Sequence, residues 1–468
     1  MGCTRTDFLR SLCAGTLGAA AGPALAQSSP DAPNIILFLM DDQAWAGTSL
    51  VMDRYRPESN SDFFRTPNLE SLGRQGMTFS FAYAAAPMCG PSRASIQYGQ
   101  SPAKLLHTGN TDAGRCRGGT GLAQALKAAR PEYRAAHFGK WHVFEEPGAL
   151  GYDEHDGRTG NESQTGPEDD PKRVREITNK AVDFMNRQVE AGHPFFLQVS
   201  QYAVHTPIRA RKDLAEKWEA RPGGTCHDGA TYAALTEEAD LSLGAILTRV
   251  RELGIEDSTY IIYTSDNGGS VLQPDHEGVP EEINRPLSGG KLYLSEGGLR
   301  VPLVIKGPGI VPRGYTYMPA VGHDLYPTVL DMAGVSSVPP EVEGGSLLPV
   351  CTTPGEVPVN RPREGLVWHF PNPHVNYKKW RAESSVLWED WKLIKIWDTG
   401  ERRLFNLVTD PYEEYNLAAQ FPSRADELEQ KLSAYLKSVD AAPPAPDPSL
   451  RRRAIEFWNE AMLKRHGG

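Results

Sequence analysis

The sequence carries no block of lysine and arginine, and beyond residue 26 it has no apolar run long enough to span a bilayer. With a formal net charge of −10 at pH 7, the first absence argues against a nucleic-acid surface, which needs clustered cations. The second means that no membrane span is expected. Cysteine is scarce, six in 468 residues, and no internal repeat shows. What remains is ordinary: 23% charged and 40% hydrophobic residues, in a chain long enough for one large core and a smaller domain. Any anionic substrate must therefore be captured by a local cationic pocket inside an acidic protein.

Residues 1–26 read as an export signal. Arg5 and Arg10 flank the basic region, residues 12–25 are apolar, and Ala24-Leu25-Ala26 forms an A-x-A cleavage site. Export to the periplasm or medium is the expectation. Cleavage would leave Cys89, Cys116, Cys226 and Cys351. If Cys89 is chemically special, at most one disulfide can form among the other three, and the sequence does not choose the pair.

Continuous apolar runs such as Asn34-Ile35-Ile36-Leu37-Phe38-Leu39-Met40 mark strands buried on both faces. Similar runs occur at Phe79-Ser80-Phe81-Ala82-Tyr83, at 133–138, at 194–200, at 259–264 and at 301–305. Helical spacing falls between them, at 122–129, 174–185, 235–250 and 323–333. Residues 151–172, rich in Gly, Asp, Glu and Pro, read as a surface loop. The alternation predicts an α/β fold with a large, mostly parallel central sheet flanked by helices. From about Arg363 the texture changes to short strands separated by turns. These predict a small antiparallel sheet with a helix at 425–439 and a terminal helix at 450–464. The domain expectation is a signal peptide over 1–26, a catalytic domain over 27–362 and a C-terminal subdomain over 363–468.

Polar clusters follow directly after the predicted strands: Asp41-Asp42, Cys89, Lys140 with His142, His205, and Asp266-Asn267. Each alone is explained by capping, a turn or a satisfied histidine. Cys89 alone, followed by Pro91 in a helical first turn, reads as an inert buried thiol. Several such clusters together are another matter, because open α/β sheets bind ligands outside the carboxyl ends of their strands. Asp41, Asp42, Asp266 and Asn267 offer hard oxygen ligands suited to Ca²⁺ or Mg²⁺. Arg93, Lys140 and Lys291 can hold an anion, and His142 and His205 can move protons. The combination suits metal-assisted transfer of a sulfuryl or phosphoryl group.

The motif Cys89-x-Pro91-Ser92-Arg93 stands with Gly139-Lys140-Trp141-His142, Ser265-Asp266-Asn267-Gly268 and Gly289-Gly290-Lys291, and with Leu404-Phe405-Asn406-Leu407 further on. In this the chain resembles the type I sulfatases of the alkaline phosphatase superfamily. The resemblance implies that a maturation enzyme oxidises Cys89 to formylglycine (3-oxoalanine), whose hydrate attacks sulfur in line. It further implies one Ca²⁺ ion, in preference to Mg²⁺, on Asp41, Asp42, Asp266, Asn267 and residue 89. Arg93 would stabilise the hydrate, and Lys140 and Lys291 would bind sulfate. His205 would be the general acid for the leaving oxygen, and His142 the base that regenerates the aldehyde. The motif's tail departs from the family's usual Leu-Thr-Gly-Arg, with Tyr98 for Thr and Gln100 for Arg.

The resemblance favours a sulfated carbohydrate over a small aryl sulfate. Trp368-His369-Phe370-Pro371-Asn372-Pro373-His374 suits stacking against a sugar ring, or equally a strand end packed on the main domain. His374, and after it Arg381, are the candidates for the substrate opening. A phosphonate or phosphate monoester hydrolase on the same fold, a non-catalytic sulfated-glycan binder with Cys89 unconverted, and a purely structural exported protein stay open at this point. The sequence does not fix the oligomeric state.

Overall fold

The computed structural model describes residues 32–109, 116–270, 282–371 and 381–444. The export signal, His374 and the expected terminal helix lie outside the described residues. The chain divides at Arg363 into two compact units.

The first unit is built on an eight-stranded sheet. Its strands are β1 (Asn34–Met40), β2 (Met77–Phe79), β4 (Arg134–Gly139), β5 (Glu154–His155), β6 (Phe195–Ser200), β7 (Thr259–Ser265), β8 (Leu303–Lys306) and β9 (Gly314–Thr316). Their spatial order is β5-β4-β6-β1-β7-β8-β2-β9. All neighbours are parallel except β7 with β8 and β8 with β2. Every residue of β1 is buried, which explains its unbroken apolar sequence. Ile35, Leu37 and Leu39 share a core with Leu122, Leu126, Tyr326 and Val329 from the helices Leu122–Ala129 and Leu325–Met332. By strand alternation Ile36 and Phe38 face the other way, where Phe38 stacks on Tyr263 at 5.7 Å. On β4 and β6, Phe138 and Phe195 meet Phe184 of the helix Val174–Glu190 edge-on.

Two expectations are corrected. The run from Phe79 to Tyr83 is not one strand. It breaks at Ser80 and Phe81, and β3 (Ala82–Tyr83) pairs instead with β10 (Ala320–Val321) in a separate two-stranded sheet. The break is held by Arg300 Nε donating to the Ser80 carbonyl and Ser80 Oγ donating to Met52 O, both at 2.8 Å. The stretch 151–172 is more than a surface loop. It contributes β5 to the sheet and a short 3-10 turn at Asn161–Gln164, and it buries Gln164, Asp170 and Lys172.

The second unit is an antiparallel meander of β11 (Leu366–Phe370), β12 (Glu383–Trp388), β13 (Trp391–Ile396) and β14 (Arg402–Asn406). It is packed by the helix Pro422–Ser438 through Ala425, Leu428 and Leu432. Trp368, His369 and Phe370 are buried, with His369 Nδ1 2.7 Å from Ser384 Oγ. Arg381 pairs with Glu401 at 3.7 Å. Among the described residues, Cys116, Cys226 and Cys351 form no disulfide.

A close approach between β4 and β6 fixes where the chain leaves the sheet edge. Gly139 ends β4 at φ +96°, and a Cβ there would lie 1.9 Å from the Ser200 carbonyl oxygen of β6. Lys140 N donates to that same oxygen at 2.9 Å. Gly157 also has positive φ, but open space around it. Gly139→Ala is therefore expected to cost about 3 kcal/mol or more, against about 1 kcal/mol for Gly157→Ala, where only the left-handed backbone is penalised. Urea denaturation midpoints of the two variants measure the difference; equal losses would contradict it.

Candidate active site

The site gathers where β1, β4, β6 and β7 end. Asp41 and Asp42 follow β1, Lys140 follows β4, and Asp266 and Asn267 follow β7. Backbone bonds splice these exits together: Asp41 N donates to Ala203 O at 2.9 Å, Val204 N to Asp41 O at 2.6 Å, and Asp266 N to Met40 O at 3.2 Å. His205 is carried by the loop after β6. Lys291 precedes β8, and because β8 runs antiparallel to β7, the chain reaches that strand from this same edge. Cys89 arrives differently, after β3 of the small sheet, as the first residue of the wholly buried helix Cys89–Tyr98. That helix presents its N-terminal amides to the site, with their partial positive charge. It stops at Gly99 at φ +64°, where a Cβ would meet Val342 and Tyr326.

Nearly all of this polar material is out of water. Asp41, Lys140, Asp266 and Asn267 have no exposed surface, and Asp42, Cys89 and Arg93 almost none. Opposite charges are matched closely. Lys140 Nζ lies 2.7 Å from Asp41 Oδ2, Lys291 Nζ 2.7 and 2.8 Å from the Asp42 oxygens, and Arg93 Nε 2.7 Å from Asp266 Oδ2. Arg93 Nη1 also donates to the Lys140 carbonyl at 2.5 Å, and Asn267 Nδ2 to Asp42 Oδ1 at 2.7 Å. Burial alone would push Asp41 up, but Lys140 and its neighbours outweigh it and hold the carboxyl at about 2. Lys291 and Lys140 likewise hold Asp42 below the usual range against its burial. Asp266 goes the other way, to about 7, because burial with the Asp41 charge nearby outweighs Arg93. Burial, reinforced by Lys140 and other cations, lowers His142 to about 3 and depresses His205 too, so both imidazoles are neutral at pH 7.

Two sets of donor atoms each lie within 4.8 Å of one another: Asp41, Asp42 and His205, and Asp41, Cys89 and Asp266. Asp41 Oδ1 and Asn267 Oδ1 are buried with no hydrogen-bond partner among the described residues. Buried oxygens without donors are costly unless a cation meets them. Carboxylate and amide oxygens of this kind suit a hard divalent ion. The donor set fits a metal.

Every residue expected for metal, nucleophile or anion thus lies in one cluster, and His142 stands at its rim, half-buried, with Nδ1 unpartnered. Gln100, at the family's arginine position, donates instead to the Gly118 carbonyl at 3.3 Å, and Tyr98 is buried. One structural residue gave no sequence signal. Thr159 Oγ1 accepts from Trp141 N at 2.9 Å and donates to Gly139 O at 2.5 Å, while Thr159 O accepts from His142 N at 2.8 Å. It thereby clamps the segment that carries Lys140 and His142.

A family model for sulfatases matches residues 33–335, and one described as N-sulphoglucosamine sulphohydrolase, C-terminal, matches 290–442. The N-acetylgalactosamine-6-sulfatase of Canis lupus familiaris is 30% identical over 397 residues, covering 73% of this chain and 69% of its own. A sulfatase of Formosa agariphila is 27% identical, covering 88% of this chain and 91% of its own. Among solved structures, that of Ps i-CgsB in complex with k-i-k-neocarrahexaose superposes with a TM-score of 0.72 at 22% identity, over 92% of this chain and 98% of its own. The chain belongs to the sulfatase family: it is a type I sulfatase of the alkaline phosphatase superfamily, and so a sulfuric ester hydrolase.

Proposed function

We propose that this chain hydrolyses a sulfate monoester on a sulfated carbohydrate, with residue 89 converted from cysteine to formylglycine and one calcium ion held by Asp41, Asp42, Asp266, Asn267 and residue 89. The observation that carries this reading is the position of Cys89. It opens a buried helix with its sulfur within 4.8 Å of Asp41 and Asp266 oxygens, in the same cluster as Arg93, Lys140 and Lys291. Sugar as the substrate class rests on the name of the canine relative and on the neocarrahexaose in the solved neighbour. We also infer that residues 1–26 are an export signal, that 27–362 form the catalytic domain and 363–468 a C-terminal subdomain, and that maturation requires a formylglycine-generating enzyme.

The formylglycine hydrate supplies an oxygen nucleophile that can release sulfate by re-forming its carbonyl. Calcium, when bound, supplies positive charge against the sulfuryl oxygens. The chain's own residues do the rest. Lys140 and Lys291 hold the sulfate and offset the charge that builds on its oxygens, which is the dominant source of acceleration in reactions of this kind. Arg93, fixed by Asp266 and the Lys140 carbonyl, steadies the hydroxyls of residue 89. His205 donates its Nδ1 hydrogen to the Thr206 carbonyl, 2.6 Å away, so the neutral ring carries none on Nε2. Nε2 takes a proton from water when the anionic sulfate ester enters the pocket and delivers it to the departing alcohol. His142, neutral and with a free ring nitrogen, accepts the proton when residue 89 returns to the aldehyde.

Peptide mass spectrometry across residue 89, on protein produced with a maturation enzyme, is expected to show the aldehyde. A thiol throughout, with no sulfate released from any sulfated glycan, would reduce the protein to a binder. Cys89→Ala is expected to lower turnover by about 10³-fold or more while circular dichroism shows the fold intact. Chelation should lower both turnover and melting temperature, since an ion bound only by the folded state stabilises it, and Ca²⁺ should restore them better than Mg²⁺. Full turnover after exhaustive chelation would remove calcium from the mechanism.

A further inference from the structure

Beside the cysteine position the molecule opens into a cleft of about 170 Å³ that none of the roles above employs except through His142. Its lining includes Gly90, His142, Phe144, Arg158, Thr159 and Glu162. The cleft is half-enclosed, so one sugar ring can be seated in it with any remaining chain in solvent. Phe144 is among the few large apolar side chains left exposed, at 42%, and the Arg158 guanidinium lies 5.1 Å from the centre of its ring. Arg158 and Glu162 are both exposed, and neither forms an ion pair with another described residue, nor do they pair with each other.

Their placement is tied to the chemistry. Arg158 directly precedes Thr159 and Glu162 follows it by three residues, and Thr159 is fastened by three hydrogen bonds to Gly139, Trp141 and His142. The wall of the cleft is thus held in register with the segment bearing Lys140 and His142. The electrostatics also differ from the sulfate pocket. That pocket's three cations are buried and each already paired with a carboxylate. The cleft instead carries an exposed arginine and an exposed glutamate with no ion-pair partner among the described residues, beside an imidazole that burial keeps neutral.

We propose that this cleft receives the sugar ring bearing the sulfate ester, and that Arg158 and Glu162 select a ring with free hydroxyls over one carrying a second sulfate. The proposal rests on the sulfatase reading above and names the substrate class within it. Ring hydroxyls can donate to the Glu162 carboxylate and accept from the Arg158 fork, while the apolar face of the ring lies along Phe144. A second sulfate would meet an unpaired carboxylate, and repulsion of the wrong ligand is as effective a selector as attraction of the right one.

The test compares matured wild type, Arg158→Ala and Glu162→Gln on 4-nitrophenyl sulfate and on a panel of monosulfated and disulfated chondroitin, heparin and carrageenan fragments. For the best monosulfated fragment, Arg158→Ala is expected to raise KM about tenfold more than it does for the aryl sulfate, with kcat for the fragment within about twofold. Glu162→Gln should raise kcat/KM for the matching disulfated fragment at least about fivefold relative to the monosulfated one. Equal losses on aryl sulfate and fragment, unchanged discrimination in Glu162→Gln, wild-type preference for the disulfated fragment, or turnover of aryl sulfate with no fragment accepted would each overturn the cleft assignment alone. No sulfate release from any substrate by protein with the aldehyde in place would overturn the sulfatase mechanism and this subsite with it.

Discussion

Removing Asp41, Asp42 and Asp266 from water is tolerable only because Lys140, Lys291 and Arg93 stand 2.7 Å from them. Desolvating each ion costs several kcal/mol even after relaxation, and close pairing with full hydrogen bonding is what offsets it. Much of the surrounding backbone serves that requirement. The loop after β6 bonds to Asp41 on both sides, Lys140 is tethered to the Ser200 carbonyl, and Lys291 N donates to Gly269 O at 2.9 Å. Buried ion pairs are weak evidence for stability, so a cluster this dense is better understood as built for a task.

The task is legible in what the pairing leaves over. Asp41 Oδ1 and Asn267 Oδ1 accept no hydrogen bond among the described residues, and Arg93 Nη2, in an ion pair 3.9 Å from Asp41 Oδ1, donates none. Oxygens of Asp41 and Asp266 lie within 4.8 Å of the Cys89 sulfur. An environment whose charges are already aligned need not reorganise as charge develops on a sulfuryl group. Burial, reinforced by Lys140 and the other cations, keeps His142 and His205 neutral.

Several features were readable from the chain alone because they depend on local pattern. Continuous apolar runs announced β1, β6 and β7, since strands covered on both faces have no polar side to show. The short strands after Arg363 announced the meander in the same way. Acids or a lysine directly after β1, β4 and β7 marked the functional edge of the sheet. The likeness to type I sulfatases then attached chemistry to Cys89 that no spacing argument could supply. Reading 79–83 as a single strand failed because Ser80 is claimed by Arg300, a residue far away in sequence.

The sequence by itself determined which residues could meet, through the strand-end positions of Asp41, Asp42, Lys140, Asp266 and Asn267 and the helix start at Cys89. The tertiary structure alone decided how the outliers join them. Lys291 belongs to the site because β8 runs antiparallel, Cys89 enters from a second small sheet, and Thr159 pins Lys140 and His142 from a loop without a motif. Strand direction, sheet membership and a threonine's partners are long-range properties, set by pairings between segments that sequence periodicity does not encode. The cleft of Phe144, Arg158 and Glu162 is of the same kind: its wall exists only where a loop from beyond β5 is bound back onto the end of β4.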